Sequence, residues 1–190
     1  MRVFTVLTMM LLVSTSLRAQ VPPNVPTLNL KAWYGFAGSS SDLSGNNNNL
    51  TNNGAVLTTD RNAIANSAYL FDGLNDYMEI VTPSFQFGEN SSFTISFWIN
   101  HSGTASGTVF MSGLNAAQGG NGKFCQYCSA SISPNVQWRA NMQGTTWIAA
   151  TSTAHSSNVW EHWVCVYENK SMTLYKNTAP VATATYPYTG

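Results

Sequence analysis

The sequence predicts an all-β sandwich, and three observations predict it. No stretch of the 190 residues sustains a helical period, short β-rich runs alternate with Gly, Asn and Ser clusters, and polarity comes from Asn, Ser, Thr and Gly instead of charge. Charged residues are only 8% of the chain and aromatics reach 12%, the balance of an extracellular β protein more than of a cytosolic helical one. A chain of this length fits one well-buried core, so a single domain with appendages is expected. The formal net charge is zero and the eight basic residues are scattered singly, which removes the footprint that nucleic acid or an anionic membrane surface would require.

The appendages come first. Residues 1–19 begin with Arg2, continue through an apolar stretch from Val3 to Val13 and end in small polar residues leading to Ala19. That order is a secretory signal peptide with cleavage after Ala19. The apolar run falls short of the roughly 20 residues a spanning helix needs, so no membrane insertion is expected once the signal is removed. Residues 20–27 form a Pro-rich linker, because Pro22, Pro23 and Pro26 withhold the backbone donors that a sheet or helix would use. The domain spans 28–190.

Strands are expected at 30–36, 55–57, 68–71, 77–81, 93–100, 108–112, 136–141, 147–151, 162–168 and 172–177. In SFTISFWIN, Phe93, Ile95, Phe97 and Ile99 share one parity and Thr94, Ser96 and Trp98 the other, which makes a half-buried strand with one aromatic on its outer face. In WEHWVCVYE both parities are bulky, Trp160, His162, Val164 and Val166 against Trp163, Cys165 and Tyr167, so cover is expected on both faces. The run MTLYKN follows the turn Asn169-Lys170-Ser171 and should close an antiparallel hairpin, with Asn177 starting the next turn.

Two aspartates and an asparagine crowd the stretch SAYLFDGLNDYMEI, in a chain with only eight acidic residues. Asp72-Gly73 and Asn75-Asp76 are strong turn formers, since Gly accepts positive φ and Asp or Asn side chains bond to nearby backbone amides. The same oxygens suit a hard cation, as calcium takes six to eight oxygen ligands. Asp42, on the Gly-Asn loop DLSGNNNN, offers a further carboxylate, while the Asn run at 46–49 reads as loop only.

Three cysteines lie beyond the signal, Cys125, Cys128 and Cys165. Cys125 and Cys128 in FCQYC are close enough to pair with each other, and Cys165 in WVCVY reads as a small buried hydrophobe. The alternative is a zinc site made of Cys125, Cys128 and two of His101, His155 and His162.

The ordered series WYGFAGSSSDLSGNNNNLTNNG, DRNAIANSAYLFDGLNDYMEI, FTISFWIN and WEHWVCVYENKSMTLYKN resembles the bacterial laminin-G-like domain of the concanavalin A-like lectin/glucanase superfamily, over 28 to the end. The resemblance implies a jelly-roll sandwich of two antiparallel sheets in secreted multidomain proteins, glycan binding, and a structural calcium ion. For that ion the candidate ligands are Asp42, Asp72, Asn75 and Asp76. Such domains close with a segment of the type F-x-G-x-I-D-D and an apolar Tyr-containing strand, whereas this chain ends at VATATYPYTG. C-terminal strands are therefore expected to be missing.

Glucanases of this fold carry their acids on one strand as E-x-D-x-x-E, and this chain has no such run. Asp76 and Glu79, and likewise Glu161 and Glu168, have spacings that place them on opposite strand faces. No G-x-S-x-G elbow presents a serine nucleophile. Exposed aromatics are the remaining lead, because sugar CH faces stack on rings while amides satisfy the hydroxyls. Trp138, Arg139, Asn141 and Trp147, with Gln143 beside them, form the candidate ligand cluster, against the alternative that Trp138 is core. The sequence thus predicts a secreted or cell-surface, non-catalytic binding or adhesion module for a glycan or matrix ligand, within a larger multidomain chain. An accessory domain of a glycan-active enzyme and a structural spacer of an adhesin are the alternatives.

Overall fold

The computed structural model describes residues 20–82, 85, 91–102, 109–110, 126–127, 135–140 and 148–185, with the backbone alone for 126–127, 139–140 and 153–154. The expected signal, and all but two residues of the expected 108–112 strand, lie outside the described residues; Val109 and Phe110 are not in a strand. Among the described residues eleven strands are formed, β1 (Thr51–Asn53), β2 (Val56–Thr58), β3 (Ala68–Leu70), β4 (Tyr77–Glu79), β5 (Phe93–Asn100), β6 (Gln126–Tyr127), β7 (Asn135–Ala140), β8 (Ile148–Ala154), β9 (Trp160–Glu168), β10 (Ser171–Lys176) and β11 (Ala179–Thr185). No α-helix occurs among the described residues, and none is long and apolar enough to cross a membrane.

A four-stranded antiparallel sheet in the order β11-β10-β9-β5 faces a three-stranded sheet in the order β6-β7-β8. The main sheet is built by two successive tight hairpins. Asn169 and Lys170 have φ of 48° and 65°, and Asn177 and Thr178 have 47° and 76°. Two consecutive left-handed residues make the turn type whose twist matches paired strands. Strand β11 was not among the expected strands; it pairs along β10 as an edge strand, where Pro180 needs no ladder partner.

The core lies between the sheets. Val136, Trp138 and Ala150 from the smaller sheet meet Trp163, Cys165, Tyr167, Met172 and Leu174 from the main sheet, all buried, with Phe93, Ile95, Phe97 and Ile99 packed against them. The alternation expected for β5 holds residue by residue. For β9 the expectation of cover on both faces needs correction. Trp163, Cys165 and Tyr167 are buried, but Trp160, His162, Val164 and Val166 are half-buried. Their shielding comes sideways, from Thr94, Ser96 and Trp98 on β5 and Thr173 and Tyr175 on β10.

The region before residue 82 is organised differently. Residues 30–36, expected as a strand, join no ladder. Asn29 and Phe36 hold left-handed φ of 62° and 54° at its two ends, and side chains, with one backbone bond from Leu43 N to Trp33 O (2.8 Å), replace a strand partner. Asn46 Nδ2 donates to Leu30 O (2.7 Å), Asn48 Nδ2 to Lys31 O (2.8 Å), and Trp33 N to Asp42 Oδ1 (2.9 Å). The Asn run is therefore structural, not mere loop.

The turn at 72–76 is not a simple hairpin turn either. Its flanking strands β3 and β4 pair with β2 and β1 respectively, in one interrupted two-stranded ribbon. Residues 71–76 face only residues 54–55, so the returning strand bulges out at this point.

Candidate functional site

Trp138 sits on β7 in register with Ala150 and Tyr127. Only 1% of it is exposed, its ring meets Phe93 edge-on at 5.9 Å, and its Nε1 donates across the sandwich to Val166 O (3.3 Å). A ring so enclosed has no face for a ligand, so the core alternative is correct for Trp138. Strand parity carries that signal: Val136 and Trp138 share one face of NVQWRA, and Asn135, Gln137 and Arg139 share the other. Arg139 is described in its backbone only, and Asn141, Gln143 and Trp147 lie outside the described residues.

Among the described residues the exposed tryptophan is Trp98, on the outer parity of β5. It is 46% exposed and stacks on His162, its cross-strand partner on β9, with ring centres 5.0 Å apart at 25°. The guanidinium of Arg61 stands 4.5 Å from the Trp98 ring centre, a cation–π arrangement. Ser96 Oγ and His162 Nε2 are hydrogen-bonded at 2.8 Å. Burial and, secondly, the Arg61 charge lower the His162 pKa, so the ring is neutral at pH 7. The arrangement is an exposed indole stacked on a neutral imidazole, with a guanidinium over the ring and a hydroxyl bonded to the imidazole. Parity placed Trp98 outward in the sequence, but nothing in the sequence joined it to His162 or Arg61, which are distant along the chain.

The Ser96–His162 contact resembles the first half of a nucleophile and base pair. Catalysis would need a carboxylate to orient the imidazole and support its protonation. The charged group here is Arg61, which acts against protonation. Glu161 fails as a glycosidase acid for the opposite reason. It is 3% exposed, its Oε1 accepts from Lys176 Nζ (2.6 Å) and Ser156 N (2.8 Å), and its Oε2 from Trp163 Nε1 (3.2 Å). Burial alone would raise its pKa, but the Lys176 and Ser156 bonds overcome it and the pKa is lowered. A general acid requires a raised value.

The carboxylates among the candidate calcium ligands accept backbone hydrogen bonds. Asp42 Oδ1 accepts from Trp33 N and Ser44 N, and its Oδ2 from Ser44 Oγ and Asn48 N, so every lone-pair direction already meets a donor. Burial opposes ionisation of Asp42, yet these bonds prevail and lower its pKa. Asp72 Oδ1 accepts from Leu74 N (2.8 Å) and Asn75 N (3.3 Å), and Asp76 Oδ2 from Asp72 N (2.9 Å). Asp76 also lies against Gly54, whose φ is +94° and where a Cβ would collide with the Asp76 carboxylate. Among the described residues no group of three or more His, Cys, Asp and Glu is placed to hold a metal ion. Asp42, Asp72 and Asp76 thus each accept hydrogen bonds from backbone amides.

Cys125 and Cys128 lie outside the described residues. Cys165 is a free thiol, 2% exposed, with its pKa pushed up to about 12 by burial, the inert small hydrophobe expected.

Comparison with known proteins agrees with this architecture. No curated protein and no solved structure matches the chain. A family model of the laminin G type, described as the concanavalin A-like lectin/glucanases superfamily, matches residues 71–189, from the 72–76 bulge through the whole sandwich. With its two facing antiparallel sheets and a match over more than half its length, the chain belongs to this laminin G-like family of the concanavalin A-like lectin/glucanases superfamily, a fold that generally serves as a binding module.

Proposed function

We propose that this chain is a non-catalytic binding or adhesion module of an exported multidomain protein, and that it takes carbohydrate on the outer face of the four-stranded sheet. The observation that carries this reading is the exposed Trp98 ring flanked by Ser96, His162 and Arg61. Sugars present apolar CH faces to such a ring and hydroxyls to its polar neighbours. Arg61 is itself exposed and has one described hydrogen bond, to Asn62 Oδ1 (3.2 Å), so a sugar can displace it from the indole. Export is supported by the Arg2 to Ala19 leader pattern.

A glycan array with the full chain, followed by a reducing-sugar assay on the best binders, tests both halves. Binding without sugar release is expected, and Trp98→Ala should abolish the binding. Reproducible sugar release, or binding that survives Trp98→Ala, would contradict the proposal.

A further inference from the structure

Of the three histidines, the structure brings two together at the rim of the sandwich. His101 follows β5 of the main sheet, and His155 follows β8 of the smaller one. Their ring centres are 4.5 Å apart at 65°, and Asn158 N donates to His101 O (2.8 Å), tying the two segments. His155 is only 9% exposed, and its Nδ1 has no hydrogen-bond partner among the described residues. A buried polar atom left in that state calls for an explanation, an unseen ion among them.

We infer that His101 and His155 form a two-histidine site for a divalent transition ion of the copper, nickel and zinc group. Imidazole nitrogen is a favoured donor for these ions and a poor one for calcium or magnesium. Two imidazoles on one tetrahedral ion, with bonds of about 2.0–2.1 Å, hold their ring centres roughly 5 Å apart. The pair therefore stands close to chelating separation. His101 is half-buried and gives the ion a route from solvent, while water fills the remaining coordination positions. An ion held there would staple the end of β5 to the end of β8 and so clamp the two sheets. The site differs in place and chemistry from the acids at 42 and 72–76.

The test uses untagged, metal-stripped protein loaded with one equivalent of Cu(II), read by electron paramagnetic resonance. Coupling to two imidazole nitrogens is expected, together with a rise in melting temperature on adding Zn(II). His155→Ala should leave one coupled nitrogen and weaken Cu(II) binding by at least about tenfold, the scale by which disturbing metal-site residues lowers affinity. Because His155 is buried, the half-exposed His101→Gln is the second variant, checked for folding by circular dichroism, and it should show the same loss. Coupling to one nitrogen or none in the wild-type protein would overturn the site. An unchanged two-nitrogen signal in either folded variant would do the same.

Discussion

Between residues 30 and 50 the chain is tied by polar side chains reaching backbone atoms, whereas from β5 to β11 it is held by apolar side chains locked between two sheets. Asp42 alone satisfies four donors, and Tyr34 Oη reaches Asn48 O at 2.6 Å. In the sandwich, Trp138, Trp163, Tyr167, Met172 and Leu174 are each at most 1% exposed. Around the β1–β4 ribbon, by contrast, Val56, Leu70, Leu74 and Val81 are all more than half exposed. The first region is specified by hydrogen-bond geometry and the second by volume, so the two should fail under different insults.

Core truncation gives the largest effect. Trp138→Ala removes the ring that joins Phe93 to the β9 backbone and should destabilise the sandwich by roughly 3–5 kcal/mol, measured by denaturant unfolding. Gly54→Ala strikes the ribbon instead. It places a side chain at φ +94° and against the Asp76 carboxylate, which should cost about 1–3 kcal/mol and loosen the 71–76 bulge. Amide exchange should report that loosening without loss of protection in β9.

Asp42→Ala should cost about 2 kcal/mol, the scale of hydrogen bonds to a charged acceptor. Faster exchange of the Trp33, Ser44 and Asn48 amides is the readout. The same contact makes this region acid-sensitive. The folded pKa of Asp42 lies below the unfolded value of 3.8, so its contribution is full above that value and is lost as pH falls through the lowered one. The smallest effect is expected from calcium. Metal-stripped protein should melt alike with calcium or chelator, because the acids already serve backbone donors; a gain of about 2.7 kcal/mol at a hundredfold excess over Kd would show that they hold the ion after all.

The same difference between the two regions decides what is legible in the sequence. Alternation in SFTISFWIN encodes which face meets the core, and the left-handed turn at Asn169-Lys170 encodes the β9–β10 hairpin. Side-chain-to-backbone bonds have no period. The dependence of residues 30–36 on Asn46, Asn48 and Asp42 was therefore hidden, and so was the pairing of β3 and β4 with separate partners. Strand β11 has little apolar alternation, and its place follows from the Asn177-Thr178 turn that delivers it to β10. The proposed binding face was half legible: parity turned Trp98 outward, but its contacts with His162 and Arg61 exist only once β5, β9 and the 59–67 loop have come together.

Two tryptophans of one sandwich stand in contrast, Trp138 holding the core and Trp98 exposed as the proposed binding surface. The most direct measurement sets a melting curve and a glycan-binding isotherm side by side for wild type and Trp98→Ala. Trp98→Ala is expected to melt close to wild type, losing only the roughly 0.2–1 kcal/mol of a cross-strand pair, while binding disappears. A Trp98→Ala protein that binds the same glycan undiminished would contradict that expectation.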